Sequence, residues 1–239
     1  MLHSQKYTSS ELFHFVGRKD PDDDARYSRL IKILQSGVLT PHSTKGLTSA
    51  GVINYNQQFS GNEMIVPSMV CFCDIPVECL SIHMDKYSYF GISFSRDFLV
   101  SNGANPVFYN ALKSKIMTHE RKSYFNDEVK RYYENWGKTV FTPGRSTTDP
   151  KEILRKKEIS AEFNFFMQSI FGYTVFFDHE KKEDDPDNYY MEREWRVLGQ
   201  VQFKMTNIFR IVMPVGYLHR FNNDVPTYNG HLFTVDKKE

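Results

Sequence analysis

The sequence predicts a mixed α+β domain built on a strongly bent or split β-sheet with helical insertions between its strands. Three observations lead there. Short apolar or aromatic runs of period two recur along the chain, as strands do. Amphipathic stretches of helical period lie between them. Neither an internal repeat nor a clear linker divides the 239 residues, so one domain over 1–239 is expected, with a helical insertion at about 110–170.

The elements follow in order. E-L-F-H-F-V-G, residues 11–17, is a short aromatic strand ending at a glycine. Asp20–Asp24 is a charged turn carrying Pro21. Over residues 24–36 the apolar Tyr27, Leu30, Ile31 and Leu34 recur at helical spacing. Gly37 stops that helix, since glycine adopts the left-handed C′ conformation without strain. Residues 41–67 are polar and rich in Gly, Ser and Asn, the composition of a long loop.

Residues 69–75 form a compact apolar strand, and 78–84 a short helix. Residues 91–95 are a strand, 97–102 a helical turn and 106–109 extended. Residues 112–136 are expected to be helical, 142–150 a breaker cluster, 153–171 helical and 173–177 a strand. After the acidic loop 180–188 comes a strand over 189–201, then strands at 204–212 and 231–235.

Composition bounds the function. Hydrophobic residues make up 40% and aromatic residues 15% of the chain, enough for a sizeable core. No run approaches the roughly 18 apolar residues of a membrane span, and the N-terminus lacks a signal-peptide pattern, so a cytoplasmic protein without membrane contact is expected. Thirty basic residues against 29 acidic ones leave a net charge of +1. That balance argues against gripping nucleic acid by bulk electrostatics. A local groove could still draw on Lys113, Lys115, Arg121, Lys122, Arg131, Lys151, Arg155, Lys156 and Lys157. Cys71, Cys73, Cys79 and His83 are poorly spaced for zinc. Buried thiols are expected, and no metal. Nothing matches a Rossmann fingerprint, a P-loop, a zincin helix or a nucleophile elbow.

The candidate chemistry lies in the strand over 189–201. Alternate residues of a strand share a face, which places Glu192, Glu194 and Arg196 together, opposite Met191, Arg193, Trp195 and Val197. Two carboxylates two positions apart repel each other unless a cation or substrate compensates. A carboxylate of this kind suits stabilisation of an oxocarbenium ion at a sugar carbon. His14, mid-strand between Phe13 and Phe15, reads first as a satisfied core histidine and second as a donor to a ribose hydroxyl. Gly91, Ser93 and Ser95 beside aromatics suit an amide-bearing ring such as nicotinamide.

In order, L-F-H-F-V-G, R-L-I-K-I-L-Q-S-G-V-L, M-V-C-F-C-D-I-P, Y-F-G-I-S-F-S-R-D-F, G-A-N-P-V-F-Y and E-R-E-W-R resemble the AbiGi family of phage abortive-infection proteins. The resemblance covers roughly residues 12–109 and 190–199. The same order resembles the ADP-ribosyltransferase fold, including DarT-like toxins that modify nucleic acid. That second resemblance implies an NAD-dependent ADP-ribosyltransferase toxin held silent by an antitoxin protein. Its substrate NAD would bind in a cleft between the His14 and Ser93 strands, touched by His14, Phe15, Tyr89, Ser93, Ser95 and Tyr109. Glu194 would be catalytic, with Glu192 on the acceptor side. Ser93 stands where one branch has a tyrosine, which passes the stacking role to Tyr89 or Tyr109. A nucleic acid (RNA or DNA) is the implied acceptor, with protein as the alternative. The AbiGi label itself implies something different: a non-enzymatic antitoxin or regulatory binding protein.

Overall fold

The computed structural model describes residues 9–41, 52–54, 57–117, 122–124, 127–128, 130–132, 134–135 and 148–237. The chain divides into two compact units. The first comprises Met1–Ser43, Met69–Val107 and Lys181–Glu239; the second comprises Thr44–Ser68 and Phe108–Glu180.

The first unit is a mixed α+β body around a seven-stranded sheet. Numbered in chain order, the strands are β1 (Glu11–Phe15), β2 (Met69–Cys73), β3 (Gly91–Ser95), β4 (Asn105–Pro106), β5 (Glu194–Leu198), β6 (Ile208–Pro214) and β7 (His231–Val235). Their spatial order is β7-β6-β3-β1-β2-β5-β4. β6 and β7 run parallel, and every other neighbouring pair is antiparallel. Helices α1 (Asp23–Ser36), α2 (Ser81–Lys86), α3 (Arg96–Ser101) and α4 (Leu218–Asp224) belong to this unit. α4 has no counterpart in the sequence reading.

Pairing across the sheet sets which side chains share a face. Phe13 lies opposite both Cys73 and Ser93, Cys73 opposite Glu194, and Ser93 opposite Arg210. One transverse row therefore runs Glu194, Cys73, Phe13, Ser93, Arg210. The other face carries Leu12, Phe72, Ile92, Phe94, Val197 and Ile211, all in the main core, with Tyr27, Leu30 and Leu34 of α1. The first face carries a smaller core of Phe13, Cys73, Leu80, Met84 and Val212.

α1 illustrates how local chemistry places an element. The Asp22 carboxylate caps its start, accepting from the Ala25 N–H at 2.8 Å. Gly37 ends it at φ 63°, donating to the Ile33 carbonyl. A Cβ at Gly37 would meet the Phe203 carbonyl oxygen at 2.7 Å. Backbone cannot swing aside as a side chain can, so Gly37→Ala combines φ strain with a clash. We expect a loss of about 1–2 kcal/mol, visible in thermal unfolding as a Tm lower by several degrees. An unchanged Tm would mean that Gly37 is not what terminates α1.

In the second unit, Phe108–Ala111 pairs in parallel with Thr174–Phe177. Lys115–Met117 pairs with Lys122–Tyr124, and Val52–Ile53 with Ile65–Val66. A helix spans Pro150–Phe165, and Phe163 joins Phe59, Met64, Met167 and Phe176 in this unit's core. The helix expected over 112–136 is thus replaced at its start by a hairpin. Lys113 sits at φ 63°, which breaks a right-handed helix, and helical residues are described only between 127 and 135. The loop expected at 41–67 includes the Val52–Ile53 pairing and a turn at Phe59–Gly61; residues 42–51, 55 and 56 lie outside the described residues.

Candidate functional site

The strand expected over 189–201 is broken. Tyr189–Glu192 forms a tight helical turn, and Arg193 takes a left-handed conformation at φ 47° before β5 begins at Glu194. The Arg193 carbonyl accepts from the Asp74 N–H at 3.2 Å, and the Arg193 guanidinium lies 3.7 Å from the Asp74 carboxylate. Asp74, itself buried, also pairs with Arg96 at 3.2 Å and accepts from the Ser9 N–H at 2.7 Å. This knot pins the turn, so Glu192 is not on a strand with Glu194. Glu194 and Arg196 do share a face, as expected, and form a fork: Nε to Oε1 at 2.8 Å and Nη2 to Oε2 at 3.0 Å.

Glu192 is held from α2 and the residue after it. Lys86 Nζ and the Tyr87 hydroxyl each donate to its Oε1 at 2.7 Å. Among the described residues no donor reaches Oε2. The Lys86 and Glu192 side chains keep only 7% and 12% of their exposure. Burial pushes the Glu192 carboxyl above the ordinary carboxylate range, against the opposing pull of Lys86 and Tyr87. The Tyr87 phenol is pushed far up, by burial first and then by the charge of Glu192. Lys86 Nζ also lies 4.4 Å from the centre of the Tyr189 ring, and Arg18 stacks over Tyr87 at 4.9 Å. His83, packed on Tyr87 with ring centres 4.7 Å apart, is lowered to about 4 by burial and by Lys86. It is therefore neutral at physiological pH.

The other expected residues are placed differently. His14 faces the main core, its ring 5.7 Å from Phe72 and its Nδ1 2.8 Å from the Cys71 carbonyl oxygen. Burial lowers its pKa. Ser93 and Glu194 face the opposite side of the sheet. The strands bearing His14 and Ser93 are hydrogen-bonded neighbours with His14 opposite Ile92, so no cleft opens between them. This corrects the cleft expected between those two strands. Ser93 is fully buried and donates to the Glu11 carboxylate, which also pairs with Arg210 at 3.1 Å. Ser95 caps α3, accepting from the Phe98 N–H at 3.2 Å. Phe15 packs at the smaller core, 5.6 Å from His83. Tyr89 donates to Asp85. Tyr109 belongs to the second unit, its ring 6.2 Å from that of Phe177.

Register puts Glu194, Arg196, Cys71 and Cys73 on one face of the sheet; burial raises both thiols, and the charge of Glu192 adds to that rise. The sequence reading missed Lys86, Tyr87, Asp74, Arg193, Glu11 and Arg210. Lys86 and Glu192 are 106 positions apart, so no spacing rule could have joined them. Among the described residues no group of His, Cys, Asp and Glu could hold a metal, and no helix is long and apolar enough to cross a membrane. Of the expected groove cations, Lys113, Arg131 and Lys156 already pair with Glu180, Glu128 and Glu152. Arg121 and the Lys122 side chain lie outside the described residues.

A family model described as "Putative abortive phage resistance protein AbiGi, antitoxin" matches residues 52–224. This chain belongs to the AbiGi family. The AbiGi match takes in β2 through α4, including Lys86, Tyr87, Glu192 and Glu194. It leaves β1, with His14, outside. No curated protein and no solved structure matches the chain.

Proposed function

We propose that this AbiGi chain works on the antitoxin side of an abortive phage resistance system, as a protein that binds and restrains its partner. The observation that carries the reading is the AbiGi match over residues 52–224, whose description names an antitoxin. The side chains add support. The charged groups on this side of the sheet are largely engaged with one another: Glu194 with Arg196, Glu192 with Lys86 and Tyr87, and Glu11 with Arg210. Paired charges of this kind stabilise a preformed surface and do not require a bound nucleotide. Expressed alone, the chain should leave growth unimpaired, and titration with NAD should show neither heat of binding nor release of nicotinamide. Growth arrest relieved by Glu194→Gln would overturn this reading.

One observation favours a second reading, an NAD-dependent ADP-ribosyltransferase toxin restrained by its own antitoxin. Glu192 turns one carboxylate oxygen to Lys86 and Tyr87 and keeps the other as an acceptor, while burial favours its protonated form. A carboxyl tuned in this direction can trade a proton with an acceptor group. Glu194 would then accept a hydrogen bond from the nicotinamide ribose and steady positive charge as nicotinamide leaves. RNA or DNA is the acceptor in this reading, and a protein the alternative. It requires transfer of labelled ADP-ribose by the wild type and its loss in both Glu194→Gln and Glu192→Gln.

A further inference from the structure

The Pro150–Phe165 helix carries a second apolar stripe that the described residues leave exposed. Its inward side is marked by Phe163, which is 2% exposed in the core of the second unit. At about 100° per residue, Leu154, Ala161 and Phe165 fall within roughly 20° of the direction opposite Phe163. Leu154 and Phe165 are each 58% exposed, and Ala161 is exposed as well. Exposed apolar groups in line on the outer side of a helix form the kind of stripe that a partner helix can cover.

The charges beside this stripe are ordered along the helix. Lys151, Arg155, Glu158 and Glu162 lie on one flank, about 40–100° round from the stripe. The two cations occupy the N-terminal half and the two anions the C-terminal half. A helix alone prefers the reverse, anions near its N-terminus and cations near its C-terminus. All four are exposed, and among the described residues none is in an ion pair; the helix's one internal pair is Lys156 with Glu152.

We propose that this face pairs with the same face of a second copy of the chain, antiparallel and about a twofold axis. Such an axis sets each flank against the same flank of the other copy, running backwards. Lys151 then faces Glu162 of the second copy, and Arg155 faces its Glu158. Leu154 packs towards Ala161 across the seam. The charge order that is unfavourable in one helix becomes attractive in the pair, and the helix dipoles oppose. The Lys151–Glu162 flank is self-complementary, as a twofold contact requires, while Lys157 on the other flank meets its own copy and weakens the pairing. Nucleic acid is a poorer occupant, because Glu158 and Glu162 stand in the same row as the cations. A helix of about 24 Å supplies less than the roughly 800 Å² per partner of a standard interface. The dimer is therefore weak, concentration-dependent and loosened by salt.

Sedimentation of the full chain between about 10 μM and 1 mM tests the inference. The wild type should shift from monomer towards dimer. Lys151→Glu/Arg155→Glu should weaken self-association on the order of tenfold, since four inter-chain pairs are reversed at about twofold or more each. Glu158→Lys/Glu162→Lys should weaken it equally. Mixing the two variants should restore association as a heterodimer, which a merely misfolded variant could not do; circular dichroism of each alone confirms the fold. A wild type that stays monomeric throughout, or a mixture that does not associate, overturns the proposal. So does a monomeric chain whose flank variants lose only the binding of a different protein, an outcome that assigns the face to that partner.

Discussion

Replacing Lys86 with Met should cost about 3 kcal/mol of stability at neutral pH, and the loss should shrink as the pH falls. Glu192 is buried, and its carboxylate depends on Lys86 and Tyr87 at 2.7 Å each. Removing the cation leaves a buried anion with a single neutral donor. Breaking a buried pair in this way costs roughly 3–5 kcal/mol, and the remaining Tyr87 bond argues for the lower end. The sign with pH follows from the direction of the shift. The folded carboxyl lies above its ordinary value, chiefly through burial, so the folded state holds the proton more readily than the unfolded chain does. The contribution of Glu192 to stability is therefore fully present below the ordinary carboxylate range and is lost as the pH rises through the raised folded value. Without Lys86 that value rises further, which widens the gap between the two proteins at neutral pH and closes it where both are protonated. Urea unfolding at about pH 7 and about pH 5 measures both terms. Lys86→Met combined with Glu192→Gln should recover most of the loss. A penalty that ignores pH and survives the second substitution would sink the buried-charge account.

Much of the first unit was legible because its signals are local. α1 carries its own cap at Asp22, its apolar spacing and its terminating Gly37. β1, β2 and β3 appear close to their expected positions because short apolar runs have few other uses. The site was less legible, for two physical reasons. Alternation within a strand says which residues share a face, but register decides which faces of different strands coincide. Here Phe13 lies opposite Ser93, and His14 opposite Ile92; that one-residue parity puts His14 and Glu194 on opposite sides of the sheet. The second reason is the break at Arg193. E-R-E-W-R-V-L has strand periodicity throughout, and a left-handed arginine costs only about 1 kcal/mol. The contacts with Asp74 that fix it come from a residue 119 positions earlier in a chain whose numbering gives no hint of them. Lys86 and Tyr87 escaped for the same reason, since their partner is chosen by the fold.

The same parity has its largest consequence in the core. Phe94 is fully buried, and its ring lies 5.1 Å from that of Phe203, 5.4 Å from that of Phe98 and 6.3 Å from that of Phe72. Phe94→Ala removes that ring from the middle of the main core and should cost about 4 kcal/mol, the transfer loss and the cavity together. A loss of that size is a large share of the roughly 5–15 kcal/mol that holds a typical domain folded. Ser93, its neighbour, points the other way and donates to Glu11. Ser93→Ala deletes one hydrogen bond from a carboxylate that keeps Arg210, so about 2 kcal/mol is expected. Both residues are fully buried and adjacent, but one change deletes a whole ring and leaves a cavity, and the other deletes a hydroxyl and leaves a bond unmade. The difference arises because one side chain completes an aromatic core and the other only adds to an ion pair. Chemical denaturation of the two variants side by side gives the ratio of the two losses directly. A loss from Phe94→Ala no larger than that from Ser93→Ala would mean that the Phe94 ring is not packed in the main core, and so that β3 does not turn Ile92 and Phe94 to the apolar side of the sheet.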